Sequence, residues 1–215
     1  MTREQLSRVM AILKREIAQW EEPIVGHYKA DAFATLISCL LSLRTKDAVT
    51  AQASRRLFAR ARTPQALLRL PIPTIEKLIY PVGFYKTKAR TLHSVCRDLL
   101  ARFDGRVPGD LDALLTIKGV GRKTANLVIT RAFSKPGICV DTHVHRITNR
   151  WGYVRTRTPD DTEQALRRVL PRRHWRIIND LLVPFGQHLC RPTSPWCSRC
   201  PLTAWCARRG VTHAR

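Results

Sequence analysis

The sequence predicts an all-α protein, and three observations predict it. Apolar residues recur at steps of three and four along most of the chain. Sustained alternation of apolar and polar residues is absent, and no Asn-Gly or Asp-Gly hairpin turn is expected. Proline at positions 71, 73, 81, 108 and 136 breaks the chain into short helices with tight connections.

Taken in order, Leu6, Val9, Met10, Leu13, Ile17 and Trp20 share one helical face, with Thr2 and Gln5 as its cap. Phe33, Leu36, Ile37, Leu40 and Leu41 repeat the pattern, as do Ala89, Leu92, Val95, Cys96, Leu99 and Phe103. Thr63-Pro64 and Thr158-Pro159 each read as an N-cap followed by proline at the first helical position. Leu127, Val128, Arg131 and Ala132 continue a further helix, and Trp175, Ile178, Leu181, Leu182 and Phe185 form the last long one. Ile138-Cys139-Val140 is the only β-like run, and it is too short for a sheet.

Charge narrows the function. In 215 residues, 38 Lys and Arg face 16 Asp and Glu, a net charge of +22. Such an excess points to a polyanion, most often nucleic acid, and away from a generic metabolic enzyme. An anionic membrane surface would attract the same charge. The apolar runs, such as Ala34 to Leu41, fall far short of the roughly 20 residues that span a bilayer. Charges scattered through Arg3, Glu4, Lys14, Arg15 and Glu16 leave no export signal, so a cytoplasmic location is expected.

That compartment keeps thiols reduced, so the seven cysteines are not a disulfide framework. Cys39, Cys96 and Cys139 lie in apolar segments and read as buried, inert thiols. Cys190, Cys197, Cys200 and Cys206 have the spacing C-x6-C-x2-C-x5-C, which implies a metal centre. Structural zinc usually takes two knuckle pairs, and here only Cys197 and Cys200 form one. The wider, unequal spacing suits a [4Fe–4S] cluster, with zinc as the alternative. Arg191, Arg199, Arg208 and Arg209 lie where cations would stabilise the negative charge of the thiolates.

Between two helical segments runs Lys118-Gly119-Val120-Gly121-Arg122-Lys123-Thr124-Ala125. The glycines allow a sharp turn and offer bare N–H groups at a helix N-terminus, an anion site. No strand precedes it and the glycine gap is too short for a phosphate-binding Walker loop. A helix-hairpin-helix that grips a phosphate without reading sequence fits better. Lys123 falls in the first turn of the second helix, where a cation is disfavoured and a neutral amine able to attack carbon is favoured. Spacing alone ranks phosphate binding ahead of that nucleophilic role. Asp141 follows an apolar run and opens a helical segment, so it reads as an N-cap and as a carboxylate able to deprotonate a lysine. His143 and His145, two residues apart, diverge on a helix, which favours packing or phosphate contact over metal binding.

Together these pieces resemble the helix-hairpin-helix DNA glycosylase superfamily, in its endonuclease III branch. The resemblance rests on Gly119 to Asn126, on Val140-Asp141-Thr142-His143-Val144-x-Arg146 and on the four cysteines, in order along the chain. Leu40-Leu41-Ser42-x-x-Thr45-Lys46-Asp47 and Val82-Gly83-x-Tyr85-x-x-Lys88-Ala89 add to it. The resemblance implies two helical domains flanking a DNA-binding cleft. A six-helix domain would span 25–135, and an iron–sulfur domain would combine 1–24 with 136–215. It also implies a monomer acting on double-stranded DNA with damaged bases or abasic sites, nucleoid-associated if bacterial. A damaged base, in this branch an oxidised pyrimidine, is flipped into a pocket. Lys123 matches the nucleophile that attacks C1′, Asp141 the carboxylate that assists from the opposite domain, and β-elimination then nicks the strand. Lys118, Gly119, Val120, Gly121, Arg122, Thr124 and His143 match DNA contacts, and the four cysteines match the ligands of a [4Fe–4S] cluster.

Three positions depart from the pattern. Arg44 stands where many members have a glutamine that fills the gap left by the flipped base, and Phe84 where a leucine wedge is common. An aromatic wedge stacks between bases, worth ~1–3 kcal/mol on other aromatic platforms. The plain alternatives are a surface phosphate contact for Arg44 and a core position for Phe84. Lys118 replaces a usual proline, with a looser hairpin entrance as the expectation. These departures bear on base removal more than on strand cleavage, so an abasic-site lyase with weak glycosylase activity is one alternative. A non-enzymatic DNA-binding module with a structural cluster is the other.

Overall fold

The computed structural model describes residues 3–20 and 31–215. The Thr2 cap and the expected domain boundary at 24 and 25 lie outside the described residues. The helices are α1 Arg3–Ile17, α2 Ala32–Ser42, α3 Asp47–Phe58, α4 Pro64–Leu68, α5 Ile72–Ile79, α6 Tyr85–Phe103, α7 Leu111–Leu115, α8 Arg122–Arg131, α9 Thr142–Arg150, α10 Pro159–Val169 and α11 Ile178–His188. Among the described residues there is no strand, and no helix is long and apolar enough to cross a membrane. Ile138–Val140 runs into the Asp141 cap without forming a strand.

The chain divides into two compact units, Ile24–Gly137 and Met1–Pro23 with Ile138–Arg215. Among the described residues the first holds α2–α8, where the resemblance implies six helices; α4 and α7 are short, five residues each. Helix α2 is apolar nearly all round, with Phe33 to Leu41 buried, and it packs against α3, α6 and α8. An amphipathic surface helix cannot do this; a helix apolar on every side must sit in the middle. Leu57, Ile75, Leu92, Leu114 and Val128 complete this core at 0% exposure. Asp104-Gly105, a dipeptide common in hairpin turns, instead ends α6. Both residues are left-handed, and the Gly105 N–H donates to Leu99 O at 2.9 Å.

In the second unit α11 packs against α1 and α9, around buried Leu13, Val144, Ile147, Leu182 and Phe185. Trp20 lies beyond α1 and stacks on His188, with centroids 4.6 Å apart. Trp175 belongs to the turn after a short Arg172–His174 helix rather than to α11, and its indole N–H donates to Leu170 O at 2.7 Å. Both threonine–proline starts form as read. Thr63 accepts from Ala66 N, and Thr158 with Asp161 makes a reciprocal capping box. Cys39, Cys96 and Cys139 are buried, and burial pushes the Cys96 thiol up to about 12, which makes it inert.

Leu92 is expected to carry much of the α6 packing. Leu92→Ala should lower unfolding free energy by about 2–5 kcal/mol in a urea titration, through the cavity it leaves at a fully buried site.

Candidate functional site

The α7–α8 hairpin is built from the core outward. Asp110 caps α7 by accepting from Ala113 N at 2.9 Å. Val120 is buried and its N–H donates to Ile117 O at 3.0 Å, which pins the turn from inside. Arg102 of α6 donates to Thr116 Oγ1 at 2.6 Å and to Thr116 O at 3.2 Å. The Lys118 N–H donates to Asp98 Oδ2 at 3.4 Å, so the residue in place of proline uses the N–H that proline lacks. The hairpin entrance is therefore braced at this position rather than loosened.

The two glycines serve different needs. Gly119 is left-handed, φ +96°, and a Cβ there would meet Thr91 Cγ2 at 2.7 Å. Gly121 has an ordinary φ of −91° and caps α8 with no side-chain cap bond. A Cβ on it would meet nothing within 4 Å. The chain's own packing does not require glycine at 121, and the bare surface faces outward. An anion brought to this end meets the positive pole of α8. Lys118 is exposed, Arg122 and Lys123 are half-buried, and Thr124 is 1% exposed with its hydroxyl 3.6 Å from Cys39 Sγ. Thr124 and Val120 thus offer backbone, not side chain, to anything outside.

Arg44 and Phe84 sit on the α2–α3 and α5–α6 turns of the same unit. Both are left-handed, at φ 53° and 58°, and the Arg44 guanidinium lies 5.8 Å from the Phe84 ring centroid. Phe84 is 64% exposed, which overturns the core reading. Lys88 of α6, a motif residue to which the sequence attached no role, donates to Leu41 O, Leu43 O and Thr45 Oγ1 between the two turns.

In the other unit Asp141 caps α9 and is 9% exposed. Its Oδ1 accepts from His143 N and Val144 N, each at 2.9 Å, which leaves Oδ2 outside the cap. His143 Nδ1 accepts from Arg146 at 3.1 Å, while His145 Nδ1 shares a 2.6 Å hydrogen bond with Thr162 Oγ1. The two histidines go to different partners, and burial lowers the His145 pKa against the opposing pull of Asp161.

The four cysteines line one small cavity of about 20 Å³, backed by Trp151, Phe185, Leu189 and Trp196. Burial pushes the Cys200 thiol up to about 11, and the neighbouring Cys190, Cys206 and Cys197 push it the same way. Cys206 is raised for the same first reason. Four thiolates in such surroundings need a positive centre between them. Among the described residues no three His, Cys, Asp or Glu groups are arranged for a single metal ion. The all-thiol lining suits a soft metal centre held by sulfur. Of the expected cations, Arg208 favours the Cys206 thiolate through its charge, and an unexpected one adjoins Cys190. Buried Arg150 donates to Cys190 Sγ at 3.4 Å, to Arg191 O at 2.6 Å and to Pro192 O at 2.6 Å. Arg208 reaches Cys206 Sγ through its backbone N–H at 3.4 Å, Arg191 bonds Gln187 O, and Arg199 lies over Trp196. Arg146, quoted in the sequence motif without a role, bonds Gly186 O and Cys190 O at 3.1 and 2.8 Å. No local pattern announces Arg146 or Arg150, because their acceptors lie some 40 residues on.

Comparison with known proteins now bears on this arrangement. The HhH-GPD superfamily of base excision DNA repair proteins matches residues 37–172. Endonuclease III of Thermotoga maritima is 45% identical over 193 residues, covering 88% of this chain and 91% of that protein. Endonuclease III homolog 1, chloroplastic, of Arabidopsis thaliana is 44% identical over 183 residues, 81% of this chain but 48% of that longer protein. Among solved structures, a trapped endonuclease III–DNA covalent intermediate superposes with a TM-score of 0.87 at 33% identity, covering 97% of each chain. With the hairpin, the capped Asp141 and the four-cysteine loop in place, the chain belongs to the HhH-GPD superfamily of base excision DNA repair proteins, in its endonuclease III branch.

Proposed function

We propose that this base excision repair enzyme, a DNA glycosylase with abasic-site lyase activity, removes oxidised pyrimidines from duplex DNA through a Schiff base on Lys123. The observation that carries the reading is the position of Lys123, in the first turn of α8 just beyond the open, side-chain-free Gly121. A phosphate held at this end of α8 brings the neighbouring sugar to the lysine. The Lys118 side chain, the backbone of Gly119, Val120, Gly121 and Thr124, and Arg122 make that grip, and His143 adds a contact from α9. Arg44 and Phe84 fill the gap that the flipped base leaves.

The chemistry then balances. As the Lys123 nitrogen bonds to C1′, the bond from C1′ to the base breaks and its electron pair leaves with the base. The proton shed by the amine passes to Asp141, whose Oδ2 lies outside the α9 cap. The same carboxylate stabilises the positive charge that develops on the sugar. Opening of the sugar ring moves a proton to O4′ and leaves an imine on Lys123. Loss of a C2′ proton expels the 3′ phosphate oxygen and nicks the strand, and water frees the lysine.

We propose that Cys190, Cys197, Cys200 and Cys206 hold a [4Fe–4S] cluster, supported by the one small cavity that all four line. The cluster supplies a fixed crosslink and local charge, and no step of the reaction passes through it. The protein is taken to act as a cytoplasmic monomer.

Borohydride should trap a covalent adduct between the protein and abasic duplex, and Lys123→Ala should abolish it. An undiminished adduct in that variant contradicts the lyase mechanism. Asp141→Asn keeps an acceptor for the α9 cap. Its melting temperature should hold while single-turnover excision of thymine glycol falls roughly 10²–10⁴-fold. Equal nicking of abasic and thymine-glycol duplexes before alkali would support oxidised pyrimidines as substrates; nicking of the abasic duplex alone would leave a lyase. Duplex affinity should fall steeply with salt, roughly 10³–10⁵-fold between 50 and 200 mM if six to ten phosphates are contacted. A flat response contradicts the charge argument. Arg150→Met, which strips the donor from Cys190 Sγ, should speed loss of iron to a chelator by about 10–100-fold.

A further inference from the structure

We propose that Lys88 is a positioning residue that clamps the Arg44 and Phe84 turns into one rigid wedge for the distorted duplex. The inference rests on the reading of Arg44 and Phe84 as DNA contacts.

The clamp closes on groups that the end of a helix leaves over. Helix α2 stops at Ser42, and the last carbonyls of a helix have no partner within it. The Lys88 ammonium donates to Leu41 O at 2.7 Å, to Leu43 O, and to Thr45 Oγ1 at 3.1 Å, so its three donors meet three acceptors on one turn. The Thr45 hydroxyl passes the link on. It donates to Leu43 O at 3.2 Å and accepts from the Gly83 N–H at 3.2 Å. Gly83 lies so near the α2–α3 turn that a Cβ would sit 2.6 Å from Arg44 O. Phe84 follows directly, and its carbonyl accepts from Lys88 N at 2.9 Å. The far side of the α5–α6 turn is held by Arg56 of α3, through Leu78 O at 2.8 Å and Tyr80 O.

The result is two non-glycine residues in left-handed conformations, facing each other as a cation over an aromatic ring. Such conformations persist only where the surroundings over-determine them. Burial pushes the Lys88 amine down to about 8. A methionine of similar length would leave the Leu41 and Leu43 carbonyls without this donor.

The test is a double-mutant comparison. Lys88→Met is made in the full-length wild type and in an Arg44→Ala, Phe84→Ala background. Each protein is assayed for affinity to a duplex bearing a tetrahydrofuran abasic analogue and for nicking of single-stranded abasic DNA, which has no opposite strand to wedge. The clamp predicts that Lys88→Met weakens duplex binding roughly tenfold in wild type and no more than about twofold in the wedge-free background. Within each background, adding Lys88→Met should change single-strand nicking by no more than about twofold. Equal losses in both backgrounds, or no loss in wild type, overturn the proposal. A wedge-free protein that binds the duplex as well as wild type overturns the DNA-contact reading itself, and the clamp with it. Should Lys88→Met fail to fold, Thr45→Val decides by the same comparison. It removes the shared hydroxyl at nearly constant volume.

Discussion

The functional reading of the α2–α8 unit depends on one constraint: the first turn of α8 must begin at a bare backbone. Helices α2, α4, α7, α9 and α10 each start under a side-chain oxygen, from Asp31, Thr63, Asp110, Asp141 and Thr158. Helix α8 starts at Gly121, which has no side chain to offer and clear space around its Cβ position. A serine or aspartate there would satisfy the helix end internally and place a competing oxygen where an anion belongs. The buried Val120 and the Arg102 bonds to Thr116 hold the turn rigid, so the opening does not rest on a loose loop. Lys123 inherits its place from this geometry, in the first turn of the helix and close to its positive pole.

The other unit follows a complementary logic. Asp141 spends one oxygen on the start of α9 and so is fixed in direction by two 2.9 Å bonds. The rest of α9 is fastened to the cysteine loop. Arg146 reaches Gly186 O and Cys190 O, and Arg150 reaches Cys190 Sγ and two loop carbonyls. Close approach of α11 makes these reaches possible. A Cβ on Gly186 would lie 2.3 Å from His143 Nδ1 and 2.8 Å from the Arg146 guanidinium. Helix α9 therefore carries the carboxylate at one end and the fastening to the cysteine loop along its body.

Much of this was legible because the signals are local. Thr63-Pro64 and Thr158-Pro159 state a helix start in two letters, and both form. The glycine pair announces the hairpin, and the cysteine spacing announces a metal loop. Trp175 shows the limit of periodicity: it falls in step with α11 yet caps the short Arg172–His174 helix, and a turn separates it from the start of α11 at Ile178. Phe84 shows the limit of residue type. An aromatic is equally at home in a core or on a wedge, and only the fold reveals it exposed beside Arg44. Lys88, Arg146 and Arg150 escape sequence reasoning for a third reason. Most of their acceptors are main-chain carbonyls about 40 residues away, and no residue type marks a carbonyl as an acceptor.

The central claim is that one particular amine does the chemistry, and it is most directly tested by locating the covalent bond. The adduct formed with abasic duplex should be reduced, digested with nuclease and protease, and mapped by mass spectrometry. The account predicts that the sugar remnant sits on the Lys123 side chain. A remnant on Lys118, on Lys135 or on the N-terminal amine would contradict it.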